Sequence, residues 1–167
     1  MKAVLLATLV MATGLGGAGC ARSAAVATRC GAEIAREQLW AERSDADIES
    51  DMQRALACAR TNGRRVLLEF VATWCADCRV MTDIDQTPTV RAVLQRRYER
   101  VRINVTDWDG HAAIRGRYGI DRIAAYVVLD PATGQRIAQT TVEPATAGTP
   151  MTPELWARWL ENPRAMP

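Results

Sequence analysis

Trp74-Cys75-Ala76-Asp77-Cys78 holds the residues of this chain best suited to chemistry. Two cysteines three positions apart at the start of a helix lie on one face, within reach of a disulfide bond. The first sulfur also meets the positive end of the helix dipole, which stabilises a thiolate. Such a pair can trade electrons with another disulfide. A CxxC can also be half of a zinc site, but one histidine and no second CxxC leave nothing to complete it. A permanent structural bridge is the other alternative.

A dithiol of this kind needs a rigid mount. Residues 66–72 (VLLEFVA) form a short apolar run, as in a strand buried on both faces, and it leads directly into the cysteines. Upstream, Ile48, Met52, Ala55, Leu56 and Ala59 recur at helical spacing over 45–60, with Asn62-Gly63 as the stop. Downstream, a helix is predicted from near Cys75 through Met81, and another over 88–97 with Pro88 in its first turn. Strands follow at 101–105 and 125–129, with a short helix at 109–117 between them. The turn DPATG leads into a last strand at 136–142, and Thr152-Pro153 caps a final helix carrying Leu155, Trp156, Trp159 and Leu160. This order predicts the α/β class: a central mixed sheet, helices on both faces, and a C-terminal β-hairpin plus helix.

The 167 residues suit one domain, and 49% apolar with 24% charged residues is a globular composition. With 21 basic against 19 acidic residues, the net charge of +2 argues against a nucleic-acid partner. Lys2 is the one lysine; the other basic residues are arginine, and their spacing suggests no guanidinium task. Arg96, Arg97, Arg100 and Arg102 read as a solvated helix end, and His111 as a solvated residue at a helix start. Trp40, Trp108, Trp156 and Trp159 read as packing, whereas Trp74 belongs to the surface around the sulfur.

VLLEFVATWCADCRVM resembles the thioredoxin superfamily. The Thr-Pro-x-Val helix start, Asn104-Val105-Thr106 and Tyr118-Gly119-Ile120 make it most like the C-terminal thioredoxin-like domain of the DsbD-type periplasmic disulfide reductases, over residues 44–161. The resemblance implies a thioredoxin-like fold in which Cys75 attacks and Cys78 resolves. It puts Glu69 where the family often has a buried aspartate that shuttles a proton; pairing with an arginine is the alternative, since a buried carboxylate needs a partner. Trp74, Ile123 and Ala124 fall at the substrate-binding positions. The chain departs from the family at Ile123-Ala124-Ala125, where a cis-proline is usual and none stands between Gly119 and Val128. A cis bond before alanine costs about 3–4 kcal/mol, so a trans loop is predicted.

Asp77 bears on the direction of electron flow. A carboxylate beside Cys75 competes for the helix dipole and disfavours the thiolate, whereas strong oxidants lower that thiol's pKa. The expectation is a reductant.

Residues 1–19 have a basic start, an apolar stretch and a small-residue exit, the pattern of a secretory signal. Gly17-Ala18-Gly19-Cys20 resembles a bacterial lipoprotein box with Cys20 as the lipidated residue; plain cleavage after 25–27 is the alternative. Residues 20–43 then form a tether and N-terminal extension, 44–161 the domain, and 162–167 a tail. Either cleavage places the chain on the periplasmic side of the cell envelope, where disulfides persist. The lipoprotein pattern adds a membrane anchor, with the outer membrane favoured by Ala21. In that compartment Cys30 and Cys58 are predicted to form a structural disulfide, two free thiols being the alternative.

The expected function is a lipid-anchored thiol–disulfide oxidoreductase that reduces protein disulfides. It needs a membrane electron donor and, beyond the Cys75–Cys78 pair, no cofactor or metal. The alternative is a module in which the same CxxC holds copper(I) or a cluster.

Overall fold

A computed structural model describes residues 30–31, 33–147 and 150–164. The predicted signal segment, Cys20 with its lipidation, the start of the tether and the last three residues lie outside the described residues.

After a 3-10 turn at Arg36–Gln38, the elements are α1 (Asp45–Asn62), β1 (Arg65–Val71), α2 (Ala76–Asp85), α3 (Pro88–Arg97), β2 (Tyr98–Asn104), α4 (Ala112–Tyr118), β3 (Ala125–Leu129), β4 (Arg136–Thr141) and α5 (Pro153–Glu161). Their order is the one predicted, and the class is α/β. The sheet runs β2-β1-β3-β4, with β1 and β2 parallel and the other neighbours antiparallel.

Local chemistry explains most boundaries. Ser44 caps α1 by accepting from Asp47 N–H at 3.1 Å, and Gly63 ends it in the left-handed region at φ 72°. Thr152 caps α5 in the same way through Leu155 N–H, with Pro153 in the first turn. Three boundaries differ from the sequence reading by three residues or more; one is the start of α4, at Ala112 and not at 109. β2 starts at Tyr98 instead of 101, because Tyr98 pairs in register with Arg65 and its hydroxyl donates to the Leu160 carbonyl at 2.6 Å. α2 continues to Asp85, past Met81, because Thr82 and Asp85 are buried polar residues with partners on other elements.

Central β1 is buried on both faces, as its apolar run requires. On one face Glu69 lies beside Arg102 of β2 and meets Thr82 and Asp85 of α2 and Trp156 of α5 through a shared polar network. On the other, Phe70 packs against Tyr118 of α4, ring centres 6.2 Å apart. Trp156 stacks on Trp159 at 4.8 Å and tilts against Tyr126 at 4.6 Å, closing the core beneath α5. Cys30 and Cys58 form a disulfide with Cα atoms 5.4 Å apart, fastening the segment before α1 to that helix.

Candidate active site at the dithiol

β1 delivers the chain to a tight turn in which Cys75 N–H donates to the Ala72 carbonyl at 3.2 Å. Cys75 then serves as N-cap of α2, its Sγ accepting from Cys78 N–H at 3.0 Å. The two cysteines are joined by a disulfide, Cα to Cα 5.2 Å. Cys75 keeps 5% of its surface exposed and Cys78 none, so Cys75 is the sulfur an incoming group can meet.

A cleft of about 480 Å³ opens over Cys75. Its apolar walls are Trp74, Trp108 and Ile123; Asp121, Arg122 and Glu143 supply charge. Trp74 is 55% exposed. Its indole N–H donates to the Thr106 carbonyl, and Asn104 accepts from Thr106 N–H at 3.1 Å while donating to the Trp40 carbonyl at 2.8 Å. The Asn-Val-Thr motif therefore shapes the cleft from the end of β2. The same loop needs Gly110, where a Cβ would stand 2.5 Å from Thr106 Oγ1 and 2.8 Å from the Val105 carbonyl oxygen. Arg115 lies 4.6 Å over the Trp108 ring and steadies that wall, so Trp108 is more than packing.

Opposite the sulfurs, the Ile123–Ala124 peptide is cis, correcting the trans expectation. That expectation weighed only the local preference of the bond; tertiary contacts hold this segment, with Ala124 buried and its carbonyl accepting from Val142 N–H at 3.0 Å. Of the two residues predicted to bind substrate here, Ile123 lines the cleft and Ala124 lies behind it.

Glu69 is fully buried and ion-paired on both oxygens, with Arg100 Nε at 2.6 Å and Arg102 Nη1 at 3.2 Å. Arg100 also reaches Asp85 at 3.0 Å, and Asp85 accepts from the Trp156 indole at 2.9 Å. Burial pushes the Asp85 carboxyl up to about 6, the Glu69 charge adding to the effect and Arg100 opposing it. Arg102 donates to Thr82 Oγ1, which donates in turn to the Cys78 carbonyl at 2.7 Å, linking the network to the second cysteine. Arg100 and Arg102 are thus no solvated helix end, and guanidinium chemistry is required of them. Their spacing of two in a strand, facing a strand that carries Glu69, is the signal that could have identified them. The correction also covers His111, whose ring is 7% exposed and pairs with Asp45. Arg96 and Arg97 do lie at the surface, sharing Glu161. Among the described residues no group of three or more His, Cys, Asp or Glu is placed to hold a metal ion.

Asp77 has partners that sequence reasoning missed altogether. Its carboxylate is buried and accepts from Ala145 N–H at 2.6 Å, Thr146 N–H at 3.2 Å and the Thr146 hydroxyl at 2.8 Å. A contact 68 residues away leaves no local trace in the sequence.

Comparison with known proteins agrees with this geometry. Residues 47–131 match the family described as thioredoxin-like. The chain is 30% identical over 101 residues to thiol:disulfide interchange protein DsbD 2 of Pseudomonas aeruginosa, covering 59% of this chain and 17% of that protein. It is 33% identical over 100 residues to a thiol:disulfide interchange protein TxlA homolog of Synechocystis, covering 58% and 52%. The aligned part is thus about a sixth of the DsbD relative and half of the other. Two solved structures share the fold. A disulphide isomerase from Xylella fastidiosa superposes with a TM-score of 0.64 at 23% identity, over 75% of this chain and 98% of that one. The oxidised C-terminal domain of Neisseria meningitidis DsbD gives 0.55 at 22%, over 72% and 97%. With the family match spanning half of its length and a strand-mounted CxxC at the head of α2, the chain belongs to the thioredoxin-like family.

Proposed function

We propose that this protein is a thiol–disulfide oxidoreductase that reduces protein disulfides. The observation that carries the reading is the Cys75–Cys78 pair at the N-terminus of α2, with Cys75 alone open to an aromatic-walled cleft. In the reduced protein, the Cys75 thiolate attacks one sulfur of a substrate disulfide. A mixed disulfide forms and the other substrate sulfur leaves as a thiolate. Cys78, losing its proton, then attacks Cys75 Sγ; the internal disulfide forms and the second substrate thiol departs. Two electrons have passed to the substrate. A donor must return them, and a membrane reductase is the class that suits an envelope lacking a soluble reductant.

In this reading Glu69 accepts the Cys78 proton. Its pairing with Arg100 and Arg102 weighs against a free base, so the pH profile of turnover in Glu69→Gln decides the role. Reducing direction is supported by the acidic lining of the cleft over Cys75, where Asp121 and Glu143 outnumber Arg122. The Cys30–Cys58 bridge suits an oxidising compartment and supports the periplasmic side of the envelope. Anchoring through a lipid on Cys20 rests on the Gly-Ala-Gly-Cys pattern, and no helix among the described residues is long and apolar enough to cross a membrane.

The test is thiol trapping across a redox buffer series together with turnover of a protein disulfide. A midpoint near roughly −270 mV with turnover lost in Cys75→Ser supports a reductant. A midpoint near roughly −120 mV reverses the direction. Undiminished turnover in Cys75→Ser removes the dithiol from the reaction.

A further inference from the structure

Asp77 stands between the two cysteines, yet its hydrogen bonds go to the stretch between β4 and α5. Both oxygens are engaged, Oδ1 by the N–H groups of Ala145 and Thr146 and Oδ2 by the Thr146 hydroxyl. That stretch is closed on itself by Ala147 N–H donating to the Glu143 carbonyl at 2.9 Å. At its root, Val142 N–H holds the Ala124 carbonyl behind Ile123. Glu143 and Thr146 line the cleft, and Glu143 pairs with Arg122, another lining residue, at 3.4 Å. The cleft therefore has three walls: the CxxC turn, residues 121–123, and residues 143–146. Asp77 joins the first to the third.

We propose that Asp77 is a positioning residue for docking protein disulfides: it holds residues 143–147 as a preformed wall of the cleft. The inference rests on the oxidoreductase reading and adds a specificity element to it. A wall already ordered in the free protein spares the incoming chain the entropic cost of ordering it. Asp77 could alternatively act through its charge on Cys75. The two roles separate cleanly, because asparagine keeps one oxygen for the two backbone donors and an amide the Thr146 hydroxyl can turn to meet. Asp77→Asn keeps the wall and removes the charge, whereas Asp77→Ala removes both.

The experiment measures dithiothreitol-driven insulin reduction together with amide hydrogen exchange in the wild type, Asp77→Ala and Asp77→Asn. In Asp77→Ala, which loses all three hydrogen bonds to the loop, exchange at Ala145 and Thr146 should speed by about tenfold or more. Its KM for insulin should rise about fivefold or more, with a smaller fall in kcat. Asp77→Asn should stay near wild type on both counts. Equal impairment of the two variants with unchanged exchange would assign Asp77 to charge and overturn the proposal. Faster exchange without a change in KM would overturn it too. Should Asp77→Ala not fold, Thr146→Val deletes one bond from the loop side and must shift exchange and KM in the same directions. If the wild type turns over no disulfide, the oxidoreductase reading falls and the docking role falls with it; exchange then shows whether Asp77 still anchors the loop.

Discussion

Arg100 Nε donates to Glu69 Oε1 at 2.6 Å, so the carboxylate on the strand that feeds the dithiol is half of an ion pair inside the core. Arg102 completes the pairing from the adjacent register position on β2. Removing one member of a buried charge network leaves the others uncompensated, which costs about 3–5 kcal/mol. Glu69→Gln keeps the volume and deletes the charge, so it should lose that much stability in urea unfolding. A loss under about 1 kcal/mol would mean that water reaches the two guanidiniums and screens them.

Asp85 makes stability depend on pH. Its carboxyl rises from 3.8 to about 6 on folding, chiefly through burial. The folded protein then binds more protons than the unfolded chain between those values, so stability falls as pH rises through that window. The effect amounts to roughly 2–3 kcal/mol. Urea midpoints measured from acid to neutral pH should show this slope, and Asp85→Asn should flatten it. A slope that survives in the variant assigns the titration to another group.

The Cys30–Cys58 bridge closes a loop with a sequence separation of 28. Loop-closure entropy assigns it about 3–4 kcal/mol. The double variant Cys30→Ser with Cys58→Ser should unfold at correspondingly lower denaturant while still turning over a protein disulfide. Loss of turnover under folding conditions would show that these sulfurs take part in exchange.

Trp74 is largely exposed and lines the cleft, so its side chain contributes little to stability and, in the proposed reaction, stands where a substrate would dock. Trp74→Ala should stay within about 1 kcal/mol of wild type in unfolding. Its kcat/KM for a protein disulfide should fall by about tenfold. An unchanged kcat/KM would remove Trp74 from docking.

Much of this architecture was legible in the chain because it rests on local chemistry. The run VLLEFVA reads as a buried strand and Thr87-Pro88 as a helix start, and both elements form there. The strand Ala125–Leu129 has the predicted bounds because an uninterrupted apolar run meets the turn DPATG. Arg100 and Arg102 both lie in β2, which begins three residues before the predicted strand, and their pairing with Glu69 comes from the neighbouring strand. Tyr98 belongs to β2 only through its pairing with Arg65 and its bond to Leu160, and neither partner is nearby in sequence.

By itself, the sequence determined the dithiol, the strand and helix that present it, and the order of elements around it. Each follows from backbone propensity, capping or apolar period within a few residues. Tertiary structure alone decided what the charged residues do. Whether Glu69 is a lone base or half of a pair depends on β2 lying beside β1 in one register. Whether Asp77 faces a thiolate or anchors a loop depends on where residues 143–147 return to the helix start. The isomer at Ile123–Ala124 is likewise settled by what packs around it. Charge and hydrogen bonding act through space, so a chain states which groups are present and only its fold states which of them meet.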